Sequence, residues 1–229
     1  MTMAKVFIGV GHGGKDPGAV GNGLHEADLN LSIALACRDE LERHGVTVGM
    51  SRVTDENDPV GDEAKECNAF APDLGLDIHC NSSGTPDTGD GAEVYHHYNG
   101  GTGKKLAENI LAEIVKIGQN SRGAKTRRRS DGKDYYYFVR ETACPAVVVE
   151  CAFINNAKDI QIIDTPGEQK AMGVAIAKGV LATLGIPYKE EKKALYLVYA
   201  DVCDNATDAE AKKKELQAAG FNAYVTVFE

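Results

Sequence analysis

Pro145-Ala-Val-Val-Val-Glu150 is the stretch on which the fold turns. Residues 146–149 have no polar face, so they read as a strand covered on both sides, as in parallel sheets sandwiched between helices. A carboxylate straight after such a run fits poorly in a strand interior. At the strand's carboxyl end it faces the crevice in which α/β proteins bind their ligands.

The sequence on either side repeats the pattern. Upstream, residues 6–10 form a short apolar strand that ends at Gly11-His12. Leu29, Ile33, Cys37 and Leu41 recur every four residues and mark one face of a helix over 27–43. Gly45 stands where a left-handed cap is wanted. Strand 46–50, a polar helix over 62–69, and strand 74–78 ending at His79 come next. Residues 93–98 predict another strand. Leu106, Ile110 and Ile114 with Ala107, Leu111 and Val115 give a second helical face. Residues 135–139 read as a strand in which Tyr135, Tyr136 and Tyr137 alternate faces and pack. Downstream, helix 168–184 is capped by Gly185. Strands alternating with helices predict an α/β domain over 1–186, a mixed, largely parallel sheet flanked by helices. Residues 187–193 are a charged linker. Residues 194–229 predict a small C-terminal β-α-β unit: strand 194–202, helix 208–219 ended by Gly220, and strand 221–228. Units below about 40 residues seldom bury enough surface to stand alone. A second copy of the chain is the simplest cover for this one, which predicts a homodimer.

The 229 residues are 43% hydrophobic and 26% charged, as in an ordinary globular protein. No apolar run is long enough for membrane insertion. A net charge of −9 argues against nucleic acid as a partner, which requires a basic footprint. The one dense basic stretch, Arg122 to Lys133, carries Arg127, Arg128 and Arg129; it is either a solvated loop or one that reaches an anionic polymer. The six cysteines occur singly at 37, 67, 80, 144, 151 and 203, without a CxxC pair, and read as reduced, buried thiols. The opening residues lack a secretory pattern, so the expectation is synthesis in the cytoplasm without a signal peptide.

Three potential metal ligands, His12, Glu26 and His79, stand where strands finish or a helix begins. Glu26 opens a helix and is brought back towards His12 by the Gly-rich loop 13–23. Two histidines and one carboxylate leave a fourth tetrahedral position for water, the arrangement of a catalytic Zn2+, one per chain. Zinc lowers the pKa of bound water from about 15.7 to roughly 7. Glu150 is the candidate to take a proton from that water and pass it to a leaving amine. Each residue also has a plainer reading. A single histidine at a strand end serves as a turn or core residue, Glu26 as a carboxylate favoured by a helix N-terminus, and Glu150 as a buried ion-pair partner. His25, next to Glu26, competes as a ligand. His44 suits a helix C-terminus. His96 and His97 point to opposite strand faces, so at most one could approach the site. Cys80 and Cys151 each follow a candidate residue in a strand and should face away from the metal.

Gly11-His-Gly-Gly-Lys-Asp-Pro-Gly-Ala19, Glu26-Ala-Asp-Leu-Asn-Leu31, Asp77-Ile-His-Cys-Asn81 and Pro145-Ala-Val-Val-Val-Glu150 occur in an order that resembles the N-acetylmuramoyl-L-alanine amidase family of the amidase_3 type, over roughly residues 4–185. The resemblance implies His12, Glu26 and His79 as zinc ligands and Glu150 as the catalytic carboxylate. It also implies peptidoglycan as substrate, cut between the lactyl group of N-acetylmuramic acid and L-alanine. Asn81 matches too and is a candidate substrate-binding residue, as is Arg140 ahead of Pro145. Two positions depart from the pattern: Glu63, where the family often has Arg, and Ala152, where Gly is common. Neither bears on the metal ligands.

Leu195-Tyr-Leu-Val-Tyr199, Ala211–Phe221 and Ala223-Tyr-Val-Thr-Val227 are similar to half of a sporulation-related repeat (SPOR-type) domain, which implies glycan binding by the tail. The whole then reads as an endolysin-like or spore-associated wall hydrolase that reaches the wall after phage lysis or mother-cell lysis. The competing readings are a zinc peptidase of the stem peptide and a non-catalytic wall-binding module. A phosphate-binding protein is disfavoured, since the Gly-rich loop lacks GxxxxGK[ST].

Overall fold

In a computed structural model that describes residues 3–190, 203–221 and 223–226, the apolar runs pair into one six-stranded sheet. In chain order the elements are β1 (Lys5–Val10), a two-residue ribbon of β2 (Val20–Gly21) and β3 (Leu24–His25), α1 (Glu26–Arg43), β4 (Thr47–Met50), α2 (Val60–Phe70), β5 (Leu74–Asn81) and β6 (Ala92–His96). They continue with α3 (Gly101–Lys116), β7 (Ser121–Lys125), α4 (Tyr137–Glu141), β8 (Ala146–Phe153), a 3-10 turn (Asp159–Ile162), α5 (Pro166–Leu184) and α6 (Ala206–Ala218). The sheet order is β4-β1-β5-β8-β6-β7. The first four strands are parallel, β6 runs antiparallel to β8, and β7 lies parallel to β6. All eight residues of β8 are buried, as its unbroken apolar run requires.

The two faces of the sheet are covered unequally. One packs Val6, Ile8, Val10, Leu76, Ile78, Val147 and Val149 against apolar residues of α1, α3 and α5. Cys80 and Cys151 lie in that core, turned from the other face as their strand positions predict. The opposite face carries a smaller cluster of Phe7, Ala64, Cys67, Phe138 and Ala146 beneath α2 and α4. Alternation along β5, β8 and β6 puts Asp77, His79, Glu150 and Glu93 on this second, partly covered face.

Residues 135–139 do not form the expected strand: Tyr137–Glu141 is a short helix. The alternation of tyrosines loses to tertiary packing, because a turn of helix buries Phe138 against Phe7 at 6.5 Å between ring centroids. Two backbone bonds close the turn, Arg140 N–H to Tyr136 and Thr142 N–H to Phe138. Strand β6 stops at His96, so His97 lies beyond it. Helix α5 begins at Pro166 rather than at 168, because Thr165 and Glu168 form a capping box.

The chain divides into two compact units, Met1–Lys189 and Glu190–Glu229. In the second, α6 is capped by Asn205, whose side chain accepts from the Asp208 N–H at 3.0 Å. No residue of α6 is buried. The expected strand 194–202 lies outside the described residues. Of the expected strand 221–228, Phe221 and residues 223–226 are described and pair with no strand. Among the described residues those positions have no partner strand, and the strand expected to pair with them lies outside the described residues.

Candidate metal centre

Strand β1 delivers the chain to Gly11, and His12 follows with φ at 64°, in the left-handed region. The turn after it closes through paired backbone bonds between Gly13 and Asp16. Asp16 then uses both oxygens: Oδ1 accepts from Gly18 N–H at 3.0 Å, and Oδ2 lies 2.9 Å from His12 Nδ1. The β2–β3 ribbon brings the chain to Glu26, the first residue of α1, where the helix dipole favours a carboxylate. Arg52 holds the assembly from behind. It is buried and donates to the carbonyls of Val10, Gly11, Ala27 and Thr54.

Glu26 bridges the two histidines. Its Oε2 lies 3.3 Å from His12 Nε2, and its Oε1 lies 2.9 Å from His79 Nδ1. The Ala19 and Cys80 N–H groups donate to the same carboxylate at 2.8 and 3.1 Å. One ligand atom from each of His12, Glu26 and His79 falls within 4.8 Å of the others, a group that could hold one cation. The space is tight. A Cβ at Gly18 would lie 2.6 Å from His12 Cδ2. Burial opposes ionisation of Glu26, yet its histidine partners outweigh it and hold the carboxyl far below the usual range. His12 is raised, first by its hydrogen bond to Glu26. For His79, burial disfavours the cation, but Asp77 and Glu26 together raise it well above an ordinary imidazole.

Glu150 projects from β8 beside this group, in register with His79 on one side and Glu93 on the other. It is only 8% exposed. Burial pushes its carboxyl up to about 7, against the pull of His79. Strands β5 and β8 run on to Asn81 and Phe153, so His79 and Glu150 stand on the sheet's open face near its carboxyl edge rather than at strand ends.

Asn81 reaches the same neighbourhood, where its Nδ2 donates to Glu93 Oε1 at 2.8 Å. Arg140 does not join the cluster. It donates to the carbonyls of Asp134 and Tyr135 and pairs with Glu141 at 2.8 Å. It borders a cleft shared with His97, Cys144 and Ala146. Ala146 opens β8 four residues before Glu150, about 13 Å away at strand rise. His25 is exposed and turns to Asp28, and His97 pairs with Asp134.

Sequence reading missed three buried carboxylates on this face: Glu63, Asp77 and Glu93. Glu93 accepts from Asn81, from the Tyr95 hydroxyl at 3.0 Å, from Arg122 Nε at 2.8 Å and from Lys125. The basic stretch from Arg122 is thus partly neutralised by a residue inside the sheet. The signal that singled out Glu150, a charge within an apolar strand, was present at Asp77 and Glu93 as well.

The architecture is that of an α/β protein whose half-open sheet face carries a two-histidine, one-carboxylate cradle able to hold a cation. The chain belongs to the N-acetylmuramoyl-L-alanine amidase family (Amidase_3), which matches residues 6–182. It is similar to the sporulation-specific N-acetylmuramoyl-L-alanine amidase of Bacillus subtilis (strain 168), with 31% identity over 227 residues, covering 97% of this chain and 84% of that protein. The endolysin of Bacillus phage SPP1 is 31% identical over 207 residues, covering 83% of this chain and 73% of its own. The solved catalytic domain of CwlV, an N-acetylmuramoyl-L-alanine amidase from Bacillus (Paenibacillus) polymyxa var. colistinus, superposes with a TM-score of 0.72 at 27% identity. That match covers 81% of this chain and 100% of the CwlV domain. Among the described residues no helix is long and apolar enough to cross a membrane.

Proposed function

We propose that the chain is a zinc-dependent amidase that hydrolyses the bond between the lactyl group of N-acetylmuramic acid and L-alanine in peptidoglycan, and so lyses cell wall. The observation that carries this reading is the convergence of His12, Glu26 and His79 on a point beside buried Glu150. The residues fit zinc: two imidazoles and a carboxylate are its usual catalytic donor set. Each imidazole also has a carboxylate beside the nitrogen that faces away from Glu26, Asp16 for His12 and Asp77 for His79. When bound, zinc supplies Lewis acidity at the scissile carbonyl and lowers the pKa of water.

The chain's own residues do the rest. Glu150, ionised, accepts a proton from the attacking water as its oxygen bonds to the carbonyl carbon. It then delivers that proton to the alanine nitrogen as the carbon–nitrogen bond breaks, leaving a lactyl carboxylic acid and a free amine, and the acid's proton passes to the amine to give carboxylate and ammonium. Burial raises the proton affinity of Glu150 in the metal-free chain, the direction that suits a carboxyl that both takes and returns a proton. Asn81, whose amide donates to Glu93, is the residue assigned here to substrate contact. Arg127 stacks 3.7 Å above the ring of exposed Tyr135 and Arg128 3.9 Å above that of Tyr98. Paired rings and guanidinium groups suit a polymer of sugars and acidic peptides.

Relatives named for sporulation and for phage lysis make both settings compatible with release onto a wall after synthesis inside a cell. For the tail, the exposed Phe221 and Tyr224 favour pairing with a second copy; sedimentation of the full chain as a monomer at all concentrations would remove that part of the reading. The catalytic reading is tested by metal analysis and wall clearing together. One zinc per chain, with clearing lost to a chelator and restored by zinc, is the expected result; clearing that persists without metal would contradict it.

A further inference from the structure

The side of His79 that faces away from Glu26 is occupied by charge. Its Nδ1 lies 2.9 Å from Glu26 Oε1, while its Nε2 lies 3.2 Å from Asp77 Oδ1. Asp77 sits two residues earlier on the same face of β5 and is 2% exposed. Its Oδ1 is buried and has no aligned hydrogen-bond partner. Buried carboxylate oxygens are nearly always satisfied, and the adjacent ring nitrogen is the donor within reach. Packing leaves Asp77 little room to turn away. A Cβ added at Gly9 on neighbouring β1 would lie 3.2 Å from Asp77 Oδ1 and 2.8 Å from Glu63 Oε1, so backbone and a second buried carboxyl enclose the group. Gly11 closes the other side of the ring, with a hypothetical Cβ only 2.1 Å from His79 Cε1.

We infer that Asp77 is a positioning residue for the metal centre: it holds His79 in the Nε2–H tautomer and thereby makes Nδ1 the metal-binding nitrogen. The inference rests on the zinc site proposed above. His12 is arranged in the opposite sense. Its Nε2 faces Glu26 and its Nδ1 faces Asp16, so the two histidines turn different ring nitrogens towards Glu26 and would hold a shared cation through them. A neutral imidazole has one donor and one acceptor nitrogen, and the group bonded to the first selects which is free for the metal. Asp77 removes the alternative tautomer before metal arrives.

The test has two independent readouts on the full chain. In zinc-loaded protein labelled with 15N-histidine, long-range nitrogen–proton correlation should show His79 metallated at Nδ1 and protonated at Nε2, with His12 the reverse. Competition with a chelator should show Asp77→Ala binding zinc about 10–100-fold more weakly than the parent. Asp77→Asn, which keeps an oxygen able to accept from Nε2–H, should recover most of that loss. Metallation of His79 at Nε2, or an Asp77→Ala chain that binds zinc as tightly as the parent, overturns the inference. If Asp77→Ala does not fold, the ring-nitrogen assignment in the parent decides alone. Failure of the parent to bind zinc at all would instead overturn the proposed metal site.

Discussion

Gly11→Ala isolates the geometry of the proposed metal site from its chemistry, since no ligand changes. The backbone at Gly11 is not in the left-handed region, so alanine escapes the penalty that a positive φ would impose there. Its methyl would lie 2.1 Å from His79 Cε1, 2.3 Å from Nε2 and 2.6 Å from Nδ1. Carbon atoms in contact sit near 3.5 Å, so the imidazole must retreat by about 1.4 Å or the chain must shift. Zinc ligands tolerate errors of about 0.2 Å. A displacement near 1 Å at a reacting centre costs about 100-fold in rate, or about 2.7 kcal/mol. Overpacking should also lower stability by about 1–3 kcal/mol, which leaves a folded chain. Chelator competition and wall clearing should therefore both fall by about 100-fold or more, while the variant still melts cooperatively. A Gly11→Ala chain that binds zinc and clears wall like the parent would refute the placement of His79 against β1.

Three further outcomes follow from buried polar groups. Arg52→Met should destabilise the chain by about 1–3 kcal/mol in denaturant melts, because it strips a donor from the buried carbonyls of Val10 and Ala27, whereas the Gly11 carbonyl keeps the Asn30 amide; no measurable loss would mean those carbonyls find other donors. Burial raises the Glu63 carboxyl well above its ordinary value, so its contribution to stability is complete at low pH and is lost as pH rises towards the folded-state pKa. Metal-free Glu63→Gln should thus melt above the parent at pH 8 and converge with it near pH 4, whereas a constant offset would deny Glu63 that role. In the metal-free chain burial raises the Glu150 carboxyl to about 7, so a carboxyl titrating near neutrality should be seen in the metal-free parent and be missing from Glu150→Gln; a Glu150 that titrates in the ordinary carboxylate range would deny that burial sets its proton affinity.

Much of the fold was legible because most of its strands are built on apolar runs. The valines of β8 and the four-residue spacing of α1 need no tertiary information to be recognised. Strand β7, Ser-Arg-Gly-Ala-Lys, has no such pattern and exists through edge pairing with β6, so nothing local announced it. The tyrosines before α4 showed an alternation that packing of Phe138 overrode. At the site, His12 and Glu26 stand at element boundaries as read, His79 lies two residues inside the end of β5, and the structure brings all three together. Arg140 was selected for its proximity in sequence to Pro145, and the fold carries it to the other end of β8. Glu93 and Asp77 carried the same signal as Glu150, a charge within a strand, but their roles depend on cross-strand and same-face neighbours that only the fold supplies. Glu93 lies opposite Glu150, and Asp77 lies behind His79.

The central claim is that this cradle and Glu150 together cut the lactyl–alanine amide. It is tested most directly by identifying the chain ends released from purified peptidoglycan by the parent and by Glu150→Gln, each with zinc content verified. The account predicts free N-terminal alanine without new reducing sugar ends, and its loss by about 100-fold or more in the variant that still holds zinc. Release of a different amino terminus would make the chain a stem-peptide peptidase. Undiminished alanine release by zinc-loaded Glu150→Gln would contradict the role assigned to Glu150.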